Sequence, residues 1–174
     1  MTAKIYLASS FFDRAGYLYT AKIARSIRRN TDFEVYVPQE NESINDKDNV
    51  EGITGVDIYE ADINELVTSD YLIPIIDGLA IDPGVAAEIG YFTALAEDRN
   101  NNEFFLDKQI IGLLTDMRHG GEGEHGLYRN LFVKGAIQKF GTIVHNEEDL
   151  ISVLLKLQRE EEISIWGKLS LFLY

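Results

Sequence analysis

Apolar residues fall in short blocks that alternate between two spacings. "KIYLAS" (4–9), "FEVYVP" (33–38), "YLIPII" (71–76), "QIIGLLT" (109–115) and "GTIV" (141–144) are compact runs with the length and composition of buried strands. Between them, apolar residues recur three and four apart over 14–29 (Tyr17, Ala21, Ala24, Ile27), 53–67, 83–97, 127–139 and 147–160, which predicts helices. Arg25, Arg28 and Arg29 suit the negative end of the first helix. Residues 39–52 read as a polar loop, "EDRNNNEF" as a polar break and "DMRHGGEGEHG" as a solvated loop. Pro74 predicts a bulge or an edge position, because proline donates nothing to a ladder.

The β-α alternation predicts an α/β fold: a five-stranded parallel sheet with helices on both faces, in one domain over 1–160. Ligands of such sheets bind beyond the carboxyl ends of the strands. The apolar tail 161–174 is expected to dock on the domain or on a neighbouring subunit. No GxGxxG follows the first strand, and "ASSFFDR" is not a P-loop.

One helix carries an anomaly. In "DPGVAAEIGYFTAL" the Asp82-Pro83 pair reads as a cap and first helical residue. Val85, Ala86, Ile89, Phe92 and Ala96 then share a face, and Glu88 falls inside that apolar arc. A buried, unpaired carboxylate is costly. Glu88 is therefore paired, for example with Arg14 or Lys134, or it is functional. Asp77 and Asp82 follow the third strand, Asp62 lies on the preceding helix, and Tyr6 lies in the first strand. Acids facing one cleft raise one another's proton affinity and can divide into nucleophile and acid, as glycosidic bond chemistry requires. The plainer alternatives are a helix cap for Asp82, a solvated face for Asp62 and a core position for Tyr6. From the residues alone the picture is an acidic cleft in an α/β domain.

Composition narrows the classes. The chain has 174 residues, a net charge of −13, three histidines and no cysteine. Strong acidity argues against nucleic acid as a partner. No apolar run has the length to span a membrane, and the N-terminus lacks a convincing signal peptide, so a cytoplasmic location is the expectation. The absence of cysteine rules out disulfides and thiolate chemistry.

"KIYLASSFF", "ADINELVTSDYLIPIIDG", "DPGVAAEIGY" and "RNLF", in that order through about residues 4–144, resemble the nucleoside 2-deoxyribosyltransferases. The most specific element is D-(x)5-E-[IL]-G-Y, here Asp82 to Tyr91. The resemblance implies a flavodoxin-like (Rossmann-like) fold and cofactor-free exchange of 2-deoxyribose between nucleobases, in nucleoside salvage. It makes Glu88 the nucleophile at C1′, Tyr6 its orienting partner, Asp62 the base contact and proton donor, and Asp82 a sugar-hydroxyl and acid-base group. Asn130 matches an asparagine lent by a neighbouring subunit, which implies a homo-oligomer, a hexamer or smaller. Gln39, Asn41 and Glu42 are candidates to touch the base. Phe11 in the first loop is a candidate substrate contact, and Tyr174 matches a terminal tyrosine whose carboxylate reaches the site. Its partners are 2′-deoxynucleosides and free nucleobases. Two alternatives stand beside this reading. One is a hydrolase of deoxynucleosides or their 5′-monophosphates, with Ser9, Ser10 and Arg14 near a phosphate. The other is a non-enzymatic flavodoxin-like module whose acids bind Mg²⁺.

Overall fold

A computed structural model describes residues 2–45, 52–99, 107–120 and 129–171. Strands β1 (Lys4–Ala8), β2 (Glu34–Tyr36), β3 (Tyr71–Pro74), β4 (Gln109–Leu113) and β5 (Gly141–Val144) form one sheet in the order β2-β1-β3-β4-β5. All four pairings are parallel. The helices are α1 (Arg14–Asn30), α2 (Glu42–Asn45), α3 (Gly55–Thr68), α4 (Pro83–Arg99), α5 (Leu131–Lys139) and α6 (Glu147–Leu171). Single 3-10 turns span Pro38–Glu40 and Met117–Gly120.

Alternate strand residues feed two cores. Ile5, Leu7, Ile73, Ile111 and Leu113 pack with Ile23, Ala24 and Ile27 of α1 and Leu150, Leu154 and Leu157 of α6. Tyr6, Ala8, Leu72 and Ile110 pack with Leu66 of α3, Val85, Ile89 and Phe92 of α4, and Ile137 of α5. Helices on both faces explain why the strands read as continuous apolar runs instead of alternating ones. The winding reverses between β1 and β3, and the crevice beyond their carboxyl ends is where such sheets bind ligands.

Pro74 departs from expectation. It ends the central strand β3, opposite Ala8 of β1, and is neither at an edge nor in a bulge. Pairing with β4 lapses there and resumes in the same register, with Leu72 opposite Ile110 and Ile75 opposite Leu113. The missing N–H is absorbed as a gap in one ladder. Three other boundaries shift. The 39–52 segment includes the Pro38–Glu40 turn and α2. Helix α5 begins at Leu131 instead of 127, because Asn130 caps it with Oδ1, accepting from the N–H groups of Phe132 and Val133 at 3.0 and 3.2 Å. Helix α6 continues to Leu171 instead of ending at 160.

The ends of α1 and α4 place the loops around the crevice. Asp13 accepts from the N–H groups of Ala15 and Gly16 at 2.8 and 2.9 Å. A Cβ on Gly16 would lie 2.4 Å from the Ser10 carbonyl oxygen, so only glycine lets α1 start so close to the loop after β1. Asp82 Oδ1 accepts from the N–H groups of Gly84 and Val85 at 2.8 and 3.1 Å, capping α4 as its sequence suggests.

Candidate active site

Glu88 sits in the second turn of α4, on the edge of the face that buries Val85, Ile89 and Phe92. The tyrosine expected in β1 meets it: the Tyr6 hydroxyl donates to Glu88 Oε1 at 2.6 Å. Among the described residues Glu88 makes no ion pair. Arg14 and Lys134, the cations considered for it, are both exposed. Burial, reinforced by the carboxylates of Asp62 and Asp82, pushes the Glu88 carboxyl up to about 7, and the Tyr6 hydrogen bond opposes the shift. Burial and the neighbouring Glu88 carboxylate raise the Tyr6 hydroxyl far above its ordinary value, so it remains a donor at any physiological pH.

Asp62, on α3, opens into the same pocket of about 250 Å³, whose lining includes Tyr6, Tyr59, Ile63, Leu66, Ala87, Glu88 and Tyr91. The pocket is thus two carboxylates set in an aromatic and aliphatic wall. Burial also raises the Asp62 carboxyl, against a hydrogen bond that Tyr36 donates to its Oδ1 at 3.0 Å. The Tyr36 ring lies 5.3 Å from that of Tyr6, its register partner across β1 and β2.

A second cavity, about 650 Å³, lies where the loops after β1 and β3 meet the start of α1. Its lining includes Ser9, Ser10, Asp13, Asp77 and Asp82 but no lysine or arginine. Asp82 and Gly84 belong to different pockets, so the first turn of α4 separates them. Asp77 is committed to structure: it accepts from the Thr115 N–H and hydroxyl, both at 2.6 Å, and from the Asp116 N–H at 2.8 Å.

The structure therefore brings Glu88, Tyr6 and Asp62 together, with Asp82 beside them. The other expected residues do not line that pocket. Gln39 is buried and donates to the Tyr17 carbonyl at 3.4 Å. Asn41 and Glu42 line an open depression with Tyr36, Glu40 and Glu65. Phe11 stacks on Phe12, ring centres 5.2 Å apart. Asn130 is exposed and occupied as the α5 cap. Tyr174 lies outside the described residues. Tyr36, Tyr59 and Tyr91 were missed. Two of them had a signal: Tyr59 precedes Asp62 by three residues and Tyr91 follows Glu88 by three, so each shares a helix face with its acid. Among the described residues no group of three or more His, Asp or Glu converges as metal ligands, and no helix is long and apolar enough to cross a membrane.

A parallel α/β sheet with a buried carboxylate held by a strand tyrosine beside the topological switch defines a class of fold and site. The family model described as nucleoside 2-deoxyribosyltransferase matches residues 5–152. The chain belongs to that family. Among solved structures, a conserved protein from Enterococcus faecalis V583 is 31% identical, with a TM-score of 0.74 over 87% of this chain and 96% of that one. A 2-deoxyribosyltransferase from Bacillus psychrosaccharolyticus is 22% identical, with a TM-score of 0.62 over 86% and 90%. A CMP N-glycosidase from Clostridium botulinum is 15% identical, with a TM-score of 0.52 over 87% and 96%. The last two likenesses speak for the fold alone. No curated protein matches the chain in sequence.

Proposed function

We propose that the protein transfers 2-deoxyribose between nucleobases through a covalent ester on Glu88. The observation that carries this reading is the Tyr6–Glu88 hydrogen bond at 2.6 Å in the wall of a largely apolar pocket shared with Asp62. Glu88 attacks C1′ as the C1′–N bond breaks. The bonding electrons leave with the base, and Asp62 supplies the proton that neutralises it. A second base then attacks C1′ from the opposite face and displaces the Glu88 carboxylate. Two inversions give net retention. A 2-deoxyribosyl centre lacks the electron-withdrawing 2′-hydroxyl, so its C–N bond is the easier one to break. The tyrosine fixes the nucleophile's geometry, and poor solvation leaves the carboxylate reactive. Apolar walls at Tyr59, Ile63, Leu66 and Tyr91 suit a planar base and disfavour water as the acceptor.

Asp82, at the rim of the second cavity, is placed to hold a sugar hydroxyl while capping α4. That cavity presents three carboxylates and no cation, which favours an uncharged nucleoside over a 5′-monophosphate. Leu79, Met117, Leu131 and Phe132 are 75–92% exposed, a liability that a second copy of the chain would cover. Such an assembly gives Asn130 a route to a neighbour's site.

The test mixes a 2′-deoxynucleoside with a different free base and follows the exchanged nucleoside by chromatography. Exchange by the wild type and none by Glu88→Ala is expected, with a deoxyribosyl adduct on Glu88 by intact mass. Base release without exchange would assign hydrolysis instead, and undiminished exchange by Glu88→Ala would remove the nucleophile.

A further inference from the structure

Asp62 does not stand alone. Asn41 Nδ2 donates to the Tyr36 hydroxyl oxygen at 3.0 Å, and the Tyr36 hydroxyl donates to Asp62 Oδ1 at 3.0 Å. The direction of this chain is fixed at its far end. Asn41 Oδ1 accepts from the Ser43 N–H at 3.2 Å, a group that can only donate, and lies 2.6 Å from the Ser43 hydroxyl. That sets the amide orientation, so Nδ2 must face Tyr36. Nδ2 can only donate, and the tyrosine oxygen therefore accepts. The single tyrosine proton points to Asp62 Oδ1, which favours the carbonyl form of that oxygen, the better acceptor. A proton on Asp62 is thereby favoured on Oδ2, which takes no hydrogen bond from the described residues. Asp62 lines the pocket that holds Glu88, whereas Tyr36 and Asn41 line the depression behind it.

We propose that Tyr36 is a positioning residue for base departure: together with Asn41 it fixes Asp62 so that Oδ2 carries the proton delivered to the leaving base. This rests on the transferase reading above. As the C1′–N bond breaks and the Glu88–C1′ bond forms, the Oδ2 proton passes to the base and Asp62 is left as a carboxylate. The incoming base returns a proton to Oδ2 when it takes the sugar, so the cycle closes without another reactant.

The variant is Tyr36→Phe, which keeps the ring against Tyr6 and removes only the hydroxyl. Two donors separate positioning from general damage. The base of 2′-deoxyguanosine needs a proton to leave, while 7-methyl-2′-deoxyguanosine carries a cationic base that leaves without one. Exchange onto adenine is followed for the wild type, and release of the base in a single turnover is compared for both donors, because the incoming base also uses Oδ2. Tyr36→Phe is expected to lose about tenfold or more in the single-turnover rate on 2′-deoxyguanosine, with the half-saturating donor concentration within about twofold, because a mis-set acid forfeits part of its catalytic factor. On the methylated donor it is expected to stay within about twofold of wild type. Equal losses on both donors, or no loss on either, overturn the inference while the wild-type exchange leaves the transferase reading standing. A wild type that exchanges neither donor removes that reading and this inference with it.

Discussion

Glu88 has a thermodynamic signature that can be read without any substrate. In the folded chain its carboxyl is pushed from 4.5 up to about 7, chiefly by burial. The folded state therefore holds a proton that the unfolded chain has already released between those values, and stability falls as pH rises through that window. Above pH 7 the accumulated penalty is on the order of 3 kcal/mol, at about 1.4 kcal/mol per tenfold change in proton affinity. Glu88→Gln is near-isosteric, keeps an acceptor for the Tyr6 hydroxyl and cannot charge. It should therefore stabilise the fold by about 1 kcal/mol at pH 5.5 and about 3 kcal/mol at pH 8.5, a rise of roughly 2 kcal/mol. Urea denaturation followed by far-UV circular dichroism at the two pH values measures the difference, with the slope m checked for constancy. A gain that does not grow with pH, or a variant less stable than wild type at both values, would refute a buried charge at this position. The same variant is expected to show no exchange, so stability gained and activity lost would come from one atom replacement.

Three further outcomes follow from the geometry. Tyr6→Phe removes the bond that lowers the Glu88 proton affinity, so the acid limb of the exchange rate should move to higher pH, with about a tenfold loss near pH 7, the size expected for a hydrogen bond to a charged group; a pH–rate profile with an unmoved limb counts against it. Asp82→Ala should cost about 0.5–2 kcal/mol in urea melts through the lost α4 cap, whereas Asp82→Asn should keep most of that stability; equal stability of all three chains would contradict the cap. Phe132→Asp should shift the mass in light scattering towards the monomer and reduce exchange together; a wild type that is already monomeric would dispose of the shared-site idea.

The elements were legible because their patterns differ: short continuous apolar runs in strands buried on both faces, a spacing near 3.6 in the helices between. The helix at 83–97 was clearest, since Asp82 and Pro83 mark its start and Val85, Ile89, Phe92 and Ala96 its buried stripe. Position within the sheet was not legible from local pattern. Pro74 pointed to a bulge or an edge, yet parallel neighbours tolerate a two-residue lapse, at Ile73 and Pro74, when the register resumes unchanged. The end of α6 was hidden for another reason. Its last turns carry no capping signal near 160, and the helix runs on past a hydrogen bond between the Tyr71 hydroxyl and the Glu161 carboxylate. At the site, Glu88 stood out as a carboxylate on the wrong face. Tyr36 did not, because a tyrosine ending a strand is ordinary; only the pairing of Tyr6 with Tyr36 puts a second hydroxyl beside the helix carboxylates.

That pairing creates a question of proton placement with a measurable answer. Each carboxylate is held by a tyrosine hydroxyl, Glu88 by Tyr6 and Asp62 by Tyr36. In the free chain burial raises both carboxyls, and the more strongly raised is Glu88, at about 7, so a single shared proton rests mainly there. The reactive form needs the opposite arrangement: Glu88 ionised to attack and Asp62 protonated to donate. Both arrangements hold one proton, so moving between them is a relocation and not a titration. A base seated against Asp62 removes water from it and raises its hold on the proton, while a sugar carbon approaching Glu88 favours the charge there. Activity should then follow the one-proton form of the pair, with kcat/KM bell-shaped in pH and both limbs belonging jointly to Glu88 and Asp62. The facing titratable groups are Tyr6 from β1, Tyr36 from β2, Asp82 and Tyr91 with α4, and Tyr59 and Glu65 from α3. Asp62→Asn should abolish the basic limb for 2′-deoxyguanosine and move the acid limb to lower pH, since Glu88 loses a neighbouring negative charge. An acid limb that stays in place would mean the two carboxylates titrate independently.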